Sequence, residues 1–232
     1  LAEWLKAQGY ATGAFVGAFP LDSRFGLTQG FDVYDDDYGS QGPTDMTFVE
    51  RKADVVVGKA LEWLEGRTSP WFLWVHCFDP HQPYQPPEPF RSQYPGNPYD
   101  GEIAFVDSTL AKLLGFLEER NLRDRTAVVF TADHGESLGE HGETTHGYFA
   151  YNATLHVPLI LAAPGLKPVR VETNVSHVDI FPTVCGLLGE QEPRGLQGRS
   201  LLPLVRGKSL LEKPIYFEAL TANYNRGWAP LR

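Results

Sequence analysis

Five of the seven histidines in this chain fall in two short segments, each at or just after an apolar run. They are His76 and His81 in the first segment, and His134, His141 and His146 in the second. The apolar runs are WFLWVH at 71–76 and TAVVFT at 126–131. Histidines grouped at strand ends are typical of metal binding, general acid–base catalysis or anion binding. These two segments are therefore the candidate location of the chemistry.

Asp133 and His134 stand side by side directly after the second apolar run, and Gly135 follows them. A carboxylate and an imidazole at one strand end can both bind the same cation, and the glycine permits a tight turn. Since calcium prefers oxygen ligands, this pair by itself suits Zn²⁺, Mn²⁺ or Fe better. Two residues do not complete a coordination shell, so other ligands must come from elsewhere. The alternative interpretation is a helix-capping aspartate beside a surface histidine.

His81 lies in a proline-rich segment, DPHQPYQPPEPF at 79–90. The prolines predict a stiff and irregular loop. Because a catalytic group must be held in position, such rigidity makes His81 a candidate catalytic residue. The alternative is a histidine that only makes hydrogen bonds within its own loop.

The other histidines are ambiguous when each is taken alone. His146 could take part in catalysis or be structural. His141 is interpreted as a loop stabiliser, with a direct or supporting role at a metal as the alternative. His156 precedes an apolar run and His177 lies in the first turn of a predicted helix, so both are interpreted as structural.

The elements that position these segments alternate between helices and apolar strands. Helices with apolar stripes are predicted before Gly9, over 46–65 with Asp45 as N-cap, over 101–120, and over 176–189 with a capping-box pattern at Ser176 and Asp179. Strands are predicted over 12–17, 71–76, 126–131, 157–165 and 215–218. The Gly- and Asp-rich stretch 21–45 is predicted to be a surface loop, and its acidic triplet at 35–37 a solvated turn.

This alternation predicts an α/β fold with a mostly parallel sheet flanked by helices. In such sheets, ligands bind at the carboxyl ends of the strands. The segment around His81 and the pair Asp133–His134 are therefore expected to meet at one edge of a shared sheet.

Composition narrows the classes of partner. Twenty basic and twenty-nine acidic residues give a formal net charge of −9, without the basic cluster that binding to nucleic acid needs. A sulfate or phosphate ester would need a local cation to overcome this negative charge. No apolar stretch reaches the roughly 18 residues of a membrane span. Cys77 and Cys185 lie in apolar stretches and are expected to be buried thiols.

The order of these motifs resembles the sulfatase family of the alkaline-phosphatase superfamily over nearly the whole chain. The run TADHGESLGEHGETTHGYFAYNATLHVPLILAAPG has that family's Asp-(Asn/His)-Gly, Gly-Glu-His-Gly and (Arg/His)-Val-Pro-Leu-Ile motifs in order. FLWVHCFDPHQPYQPPEPF is similar to its Asp-Pro-His-x-Pro-Tyr-x-Pro-Pro loop, and YDGEIAFVDSTLAKLL to its Tyr-Asp-x-Glu-Ile-x-x-Val-Asp helix. GLTQGFDVYDD and LQGRSLLPLV also have counterparts there.

The resemblance implies an alkaline-phosphatase-like α/β fold that is incomplete here. Residues 1–192 would form a partial sulfatase-type domain, and 193–232 a C-terminal extension that begins a smaller subdomain. The implied activity is metal-dependent hydrolysis of sulfate esters of small molecules or glycans. A phosphodiester or phosphonate monoester hydrolase of the same superfamily is one alternative, and a non-catalytic binding member is another.

The resemblance also implies roles for individual residues. Asp133 and His134 would be two ligands of a single divalent cation. Calcium is expected, with manganese or zinc as alternatives, because His134 stands where many sulfatases have Asn. His81 would contact the anionic head of the ester or the leaving oxygen. His146 replaces a basic residue, often Lys, and would bind an oxyanion or protonate the leaving group.

The family's nucleophile is expected in an N-terminal half of the same protein. There, a Cys- or Ser-x-Pro-x-Arg motif supplies a residue that becomes formylglycine, and an Asp-Asp pair completes the metal site. The 232 residues contain no such motif, since Cys77 precedes Phe78-Asp79 and Cys185 precedes Gly186. By itself, the chain is therefore expected to bind metal weakly and to hydrolyse nothing.

Overall fold

The structure, a computed structural model, describes residues 1–39, 50–68 and 70–219. The chain divides into two compact units, Leu1–Asn121 and Leu122–Arg232. Helices and a mostly parallel set of strands confirm the predicted α/β class. The predicted domain boundary at residue 192 stays a prediction.

The first unit is built on a three-stranded parallel sheet. Strand β1 (Ala11–Val16) lies in the middle, between β2 (Val33–Asp35) and β3 (Trp71–His76). The apolar run at 71–76 is thus a strand, as predicted, although its side chains are half-buried. Since the strand ends at His76, the proline-rich loop begins at the carboxyl end of the sheet.

Four helices accompany this sheet: α1 (Ala2–Ala7), α2 (Ala53–Leu64), α3 (Phe90–Gln93) and α4 (Pro98–Glu119). The apolar stripe of α2 packs on β1, where Phe15, Val56 and Ala60 form a buried core cluster. Burial of such side chains stabilises the unit by about 1.5–3 kcal/mol each for the larger ones. The core thereby fixes where the helix lies on the sheet.

Helix α2 begins later than the sequence predicted. Residues 50–52 are not helical, and the first turn starts at Ala53. The predicted N-cap, Asp45, lies outside the described residues. A distant carboxylate caps the helix instead, because the N–H of Ala53 donates to Asp79 Oδ2 at 2.9 Å. A contact across 26 positions leaves no local signal in the sequence.

The predicted surface loop over 21–45 contains strand β2 as well as two short 3₁₀ turns, Phe19–Leu21 at its start and Ser23–Phe25 within it. Three residues are too few to show a hydrophobic period, so the sequence prediction missed this edge strand. Its register is set by β1, where Gly13 faces Val33 and Ala14 faces Tyr34.

The second unit contains an antiparallel pair, β4 (Val128–Thr131) and β5 (Leu159–Ala162). Its described residues, 122–219, also form the helices α5 (Asn152–Leu155), α6 (Ile180–Leu188) and α7 (Leu202–Val205). A 3₁₀ turn, His177–Asp179, leads into α6 and carries the predicted capping box of Ser176 and Asp179. Helix α7 was not predicted.

The structure of this unit differs from two of the predictions made from the sequence. The strands at 126–131 and 157–165 form, but they pair antiparallel, which the apolar pattern of two short runs does not distinguish from parallel pairing. The strand predicted over 215–218 is wrong, since those residues have no regular structure. Tyr216 there is 70% exposed.

Neither cysteine forms a disulfide in the structure. Cys185 is buried in α6 as expected, whereas Cys77 is only partly buried, and burial raises the pKa of the Cys77 thiol to about 12. Both thiols are therefore poor nucleophiles at neutral pH. Within the described ranges, no helix combines the length and the apolar composition needed to cross a bilayer.

Candidate active site

The turn after β4 brings a carboxylate and an imidazole close together. The side chains of Asp133 and His134 are 74% and 41% exposed, with Oδ2 and Nε2 3.8 Å apart. His134 Nδ1 lies 2.8 Å from the carbonyl oxygen of Gly135. Because a carbonyl oxygen only accepts, Nδ1 carries the proton and Nε2 of the neutral ring keeps its lone pair.

This geometry fits a shared cation. Two acceptor atoms 3.8 Å apart are too distant for a hydrogen bond, and a metal bound at about 2.0–2.6 Å from each ligand can lie between them. The backbone contact of Nδ1 orients the ring in the way that metal-binding histidines require. An N and O donor pair suits manganese or zinc, and calcium would need further oxygen ligands.

The pair supplies only part of a coordination shell. Among residues 1–39, 50–68 and 70–219, no group of three or more His, Cys, Asp and Glu side chains is arranged to hold a metal ion. If Asp133 and His134 hold a cation, its other ligands would have to come from outside these described residues.

Gly135 holds this turn against helix α5. Its N–H donates to the carbonyl oxygen of Thr154 at 2.9 Å. A Cβ at position 135 would collide with the carbonyl oxygen of Ala153. The glycine is thus required by a close backbone approach, and any larger residue would displace the turn that carries Asp133 and His134.

His146 joins the same cluster. Its ring stacks on that of His134, with centroids 3.9 Å apart and planes 27° apart. Its Nδ1 lies 3.1 Å from Oε1 of Glu136, whose side chain is 5% exposed. A buried carboxylate that binds Nδ1 fixes both the tautomer and the orientation of the ring. The second unit therefore brings Asp133, His134 and His146 together.

Glu136 was not among the residues predicted from the sequence. Its contact with His146 spans ten positions within an irregular loop, where no helical or strand period indicates which residues meet. A second glutamate, Glu143, stiffens the same loop. It is 5% exposed, and its Oε1 accepts the N–H groups of Tyr148 at 3.0 Å and Phe149 at 3.2 Å.

If His146 acts in catalysis, as the sequence predicts, Glu136→Gln in the full-length protein should lower kcat by about 10- to 100-fold, as replacements of orienting partners commonly do. The carboxamide can present its NH₂ to Nδ1 and favour the wrong tautomer or ring angle. The measurement is steady-state turnover, with thermal unfolding to check the fold. Glu172→Gln, at a side chain 77% exposed, is the matched control. Equal kcat for both variants would contradict a role for Glu136.

Two other histidines of the second unit, His141 and His177, contact neighbouring side chains. The ring of His141 stacks on Tyr151 at 4.0 Å between centroids, with its backbone at φ 58°. This contact supports the interpretation of His141 as a loop stabiliser. His177 Nε2 lies 3.2 Å from Oγ1 of Thr131, the last residue of β4.

His81 is held within the first unit. Its ring stacks on Phe78, with centroids 4.0 Å apart, and its Nδ1 lies 2.7 Å from the carbonyl oxygen of Gln82. As in His134, a carbonyl partner assigns the proton to Nδ1. The N–H of His81 donates to Glu102 Oε2 at 3.0 Å. The rigidity expected from the prolines is thus supplemented by a side chain of helix α4.

A cluster of charged side chains contacts the loop that carries His81. Lys52 Nζ is 2.8 Å from Glu50 Oε1, 2.9 Å from Asp79 Oδ1 and 3.3 Å from Glu102 Oε1. Burial lowers the pKa of Lys52, but its hydrogen bonds to Glu50 and Asp79 outweigh burial and raise the pKa above its usual value. Burial raises the pKa of Glu102, whereas hydrogen bonds from the loop and the charge of Lys52 oppose that rise.

Each unit contains one part of the predicted site. His81 and its charged cluster belong to the first, and Asp133, His134 and His146 to the second. That these parts meet at one sheet edge stays a prediction, as do the catalytic and metal-binding roles.

Known proteins are similar to this chain along most of its length. The family model named Sulfatase matches residues 1–190. The chain is 36% identical over 112 residues to arylsulfatase K of Xenopus laevis and 37% identical over 107 residues to arylsulfatase K of Homo sapiens. It is 37% identical over 115 residues to the multifunctional alkaline phosphatase superfamily protein PehA of Trinickia caryophylli.

These alignments cover 48%, 46% and 47% of the chain, and 21%, 20% and 22% of the three proteins. The matched part of the chain thus spans about a fifth of the length of these curated relatives.

Solved structures have the same fold. The phosphonate monoester hydrolase of Agrobacterium radiobacter superposes with a TM-score of 0.73 at 21% identity, covering 90% of this chain and 62% of that one. BT4656, solved in complex with its substrate D-glucosamine-2-N,6-O-disulfate, gives a TM-score of 0.70 at 19% identity, over 94% of this chain and 66% of that one.

Proposed function

Because the chain belongs to the sulfatase family, we propose that the full-length protein hydrolyses sulfate esters with one divalent cation. The observation that carries this proposal is the pair of acceptors at one exposed turn, Asp133 Oδ2 and His134 Nε2, 3.8 Å apart. Identity of 36–37% to arylsulfatase K over about half of the chain supports sulfate esters as the substrate class.

Asp133 and His134 would hold the cation, for which calcium follows from the family and manganese or zinc from the donor set. When bound, such a cation polarises the ester oxygens and stabilises the negative charge that develops on them. This local positive charge would also offset the net charge of −9, which otherwise repels an anionic ester.

His146 would bind an oxyanion or give a proton to the departing alkoxide, with Glu136 holding its Nδ1 at 3.1 Å. His81 would contact the anionic head of the ester or the leaving oxygen. Its ring stacks on Phe78, and its Nδ1 donates to the backbone carbonyl oxygen of Gln82. In the neutral ring, Nε2 therefore carries the lone pair that can accept a proton.

The substrate would be a small-molecule or glycan sulfate ester. The sulfated glucosamine bound by BT4656 and the neocarrahexaose bound by Ps i-CgsB, which superposes with a TM-score of 0.68, are sugar ligands of proteins with this fold. The acidic composition does not favour a nucleic-acid partner.

The nucleophile would be a formylglycine outside these 232 residues, which contain no Cys- or Ser-x-Pro-x-Arg motif. We therefore expect the 232-residue chain alone to show no turnover of a sulfate ester and to bind metal weakly. Reactions are followed by release of sulfate or of a chromogenic phenol, beside the full-length protein at the same concentration. A rate within about tenfold of the full-length rate would refute the expectation. A tenfold difference corresponds to roughly 1.4 kcal/mol of activation free energy.

The proposed function is tested with the full-length protein. It is depleted of metal by a chelator, supplied in turn with Ca²⁺, Mn²⁺ and Zn²⁺, and assayed on p-nitrophenyl sulfate, a sulfated glucosamine and a phenylphosphonate monoester. We expect the highest kcat/KM on a sulfate ester, with activity lost on depletion and restored by one cation. Activity that survives depletion would count against the metal, and a preference for the phosphonate against the substrate class.

A phosphonate monoester or phosphodiester hydrolase is the second candidate. Two observations favour it: His134 stands where many sulfatases have Asn, and the chain is 37% identical over 115 residues to the multifunctional PehA. The same assay separates the two candidates, because both share the fold and the cation pair. No turnover of any of the three esters would favour a non-catalytic member of the family.

A further inference from the structure

The fully buried carboxylate of Glu102 connects two points of the His81 loop. Its Oε2 accepts the N–H of His81 at 3.0 Å, and its Oε1 accepts the N–H of Gln85 at 2.7 Å. The Glu102 side chain has no exposed surface. Two backbone N–H groups four positions apart in sequence thereby donate to one carboxylate. This carboxylate belongs to the 22-residue helix α4.

Lys52 and Asp79 connect this carboxylate to helix α2. Lys52 Nζ lies 3.3 Å from Glu102 Oε1 and 2.9 Å from Asp79 Oδ1. Asp79, only 2% exposed, also accepts the N–H of Ala53 at the start of α2. Since Asp79 precedes His81 by two residues, the histidine is fixed from both sides: through Asp79 to α2 and through Glu102 to α4.

A purely structural role explains this arrangement poorly. Burying a carboxylate is costly, and well-packed apolar side chains often replace buried ion pairs without loss of stability. What an apolar side chain cannot do is accept two N–H groups of a loop at defined positions. The carboxylate thus gives the loop a fixed geometry, and the residue whose geometry bears on chemistry is His81.

We propose that Glu102 is a positioning residue, which holds the backbone of His81 so that its imidazole lies where the ester binds. This inference rests on the proposed function, since it assigns Glu102 a share in the role of His81. Nothing in Glu102 itself touches the substrate, and its effect on turnover passes through the histidine.

The test is a double-mutant cycle in the full-length protein with Glu102→Gln and His81→Ala. A glutamine keeps the shape, but its single carbonyl oxygen can accept only one of the two N–H groups, and its NH₂ faces the other. We expect Glu102→Gln to lower kcat on the sulfate ester by about 10-fold or more with His81 present, and by less than about twofold in the His81→Ala background.

A loss of equal size in both backgrounds would show that Glu102 acts on the fold alone, and would overturn the proposal. Glu119→Gln is the matched control, because it makes the same change at an exposed position of the same helix. Glu102→Asp, which keeps both acceptor oxygens on a shorter chain, is expected to retain more of kcat than Glu102→Gln. The opposite order would also overturn the proposal.

A measurement independent of turnover separates this inference from the proposed function. Hydrogen–deuterium exchange of the peptide spanning 79–86 is compared between the wild-type protein and Glu102→Gln. Loss of one hydrogen bond to a charged acceptor is expected to speed exchange of the His81 and Gln85 amides by about 10-fold. Unchanged exchange overturns the positioning role, whereas faster exchange in a protein that hydrolyses no sulfate ester would refute only the proposed function.

Discussion

Replacing Asp133 by alanine in the full-length protein is expected to abolish binding of the proposed cation and to lower kcat/KM by about 10³-fold. Polarisation of an ester by a metal contributes several kcal/mol, and each 1.36 kcal/mol is about a factor of ten in rate. Asp133 supplies a carboxylate oxygen that lies 3.8 Å from Nε2 of His134. The metal content is measured by elemental analysis of the purified variant, and kcat/KM with the preferred sulfate ester.

The matched control for this prediction is Asp124→Ala, an exposed aspartate in the 3₁₀ turn before β4. Its metal content and kcat/KM should equal those of the unmodified protein. Because Asp133 is 74% exposed and makes only a local hydrogen bond to the N–H of His134, neither variant should unfold. An Asp133→Ala protein with full metal content and normal activity would refute the proposed ligand.

The sequence predicted most strands and helices because their signals are local. The apolar runs at 71–76 and 126–131 became β3 and β4, and the stripe over 101–120 became α4. The capping box at Ser176 formed because both partners lie within four residues. Elements shorter than one clear period, such as β2 and α7, gave no comparable signal.

The residue types of the proposed site can be identified from the sequence, whereas the groups that support them cannot. Gly-, His- and Asp-rich segments at strand ends indicated His81, Asp133 and His134. The groups that hold them, Glu102 and Glu136, depend on contacts between distant positions or across an irregular loop, which periodicity does not reveal. The late start of α2 has the same origin, since its cap comes from Asp79.

These supports share one chemical feature. Glu102 and Glu136 are buried carboxylates, each bonded to a histidine with a proposed role, one at its backbone and the other at its ring. A buried acid is costly unless it is paired, so its presence in a loop or beneath one indicates a geometry that the protein must keep. Buried acids beside exposed histidines are therefore a useful signal once coordinates exist.

Replacing Lys52 by methionine is expected to destabilise the protein by about 3–5 kcal/mol, the usual cost of removing one partner from a buried ion pair. Methionine approximates the length of the lysine stem, so the loss reflects the charge. The side chains of Asp79 and Glu102 are 2% and 0% exposed, and they would be left without a cation. The measurement is the midpoint of denaturant unfolding of the full-length protein.

The loss should shrink as the pH falls. Burial already raises the pKa of Glu102 in the folded protein, and removing Lys52 raises it further. An acid whose folded pKa exceeds its unfolded pKa binds more protons in the folded state, so unfolding becomes less favourable as the pH falls through that interval. The stability gap between Lys52→Met and the unmodified protein is therefore expected to narrow as the pH is lowered from neutral.

Lys59→Met, in helix α2, is the control for both measurements. Its partner is Glu62, and the two side chains are 49% and 69% exposed, so their ion pair should contribute less than about 1 kcal/mol. If Lys52→Met proved no more destabilising than Lys59→Met at neutral pH, the buried cluster would not depend on its lysine. The charge of Glu102 would then be stabilised mainly by the N–H groups of His81 and Gln85. In that case the loop, rather than Lys52, would be the main partner of this carboxylate.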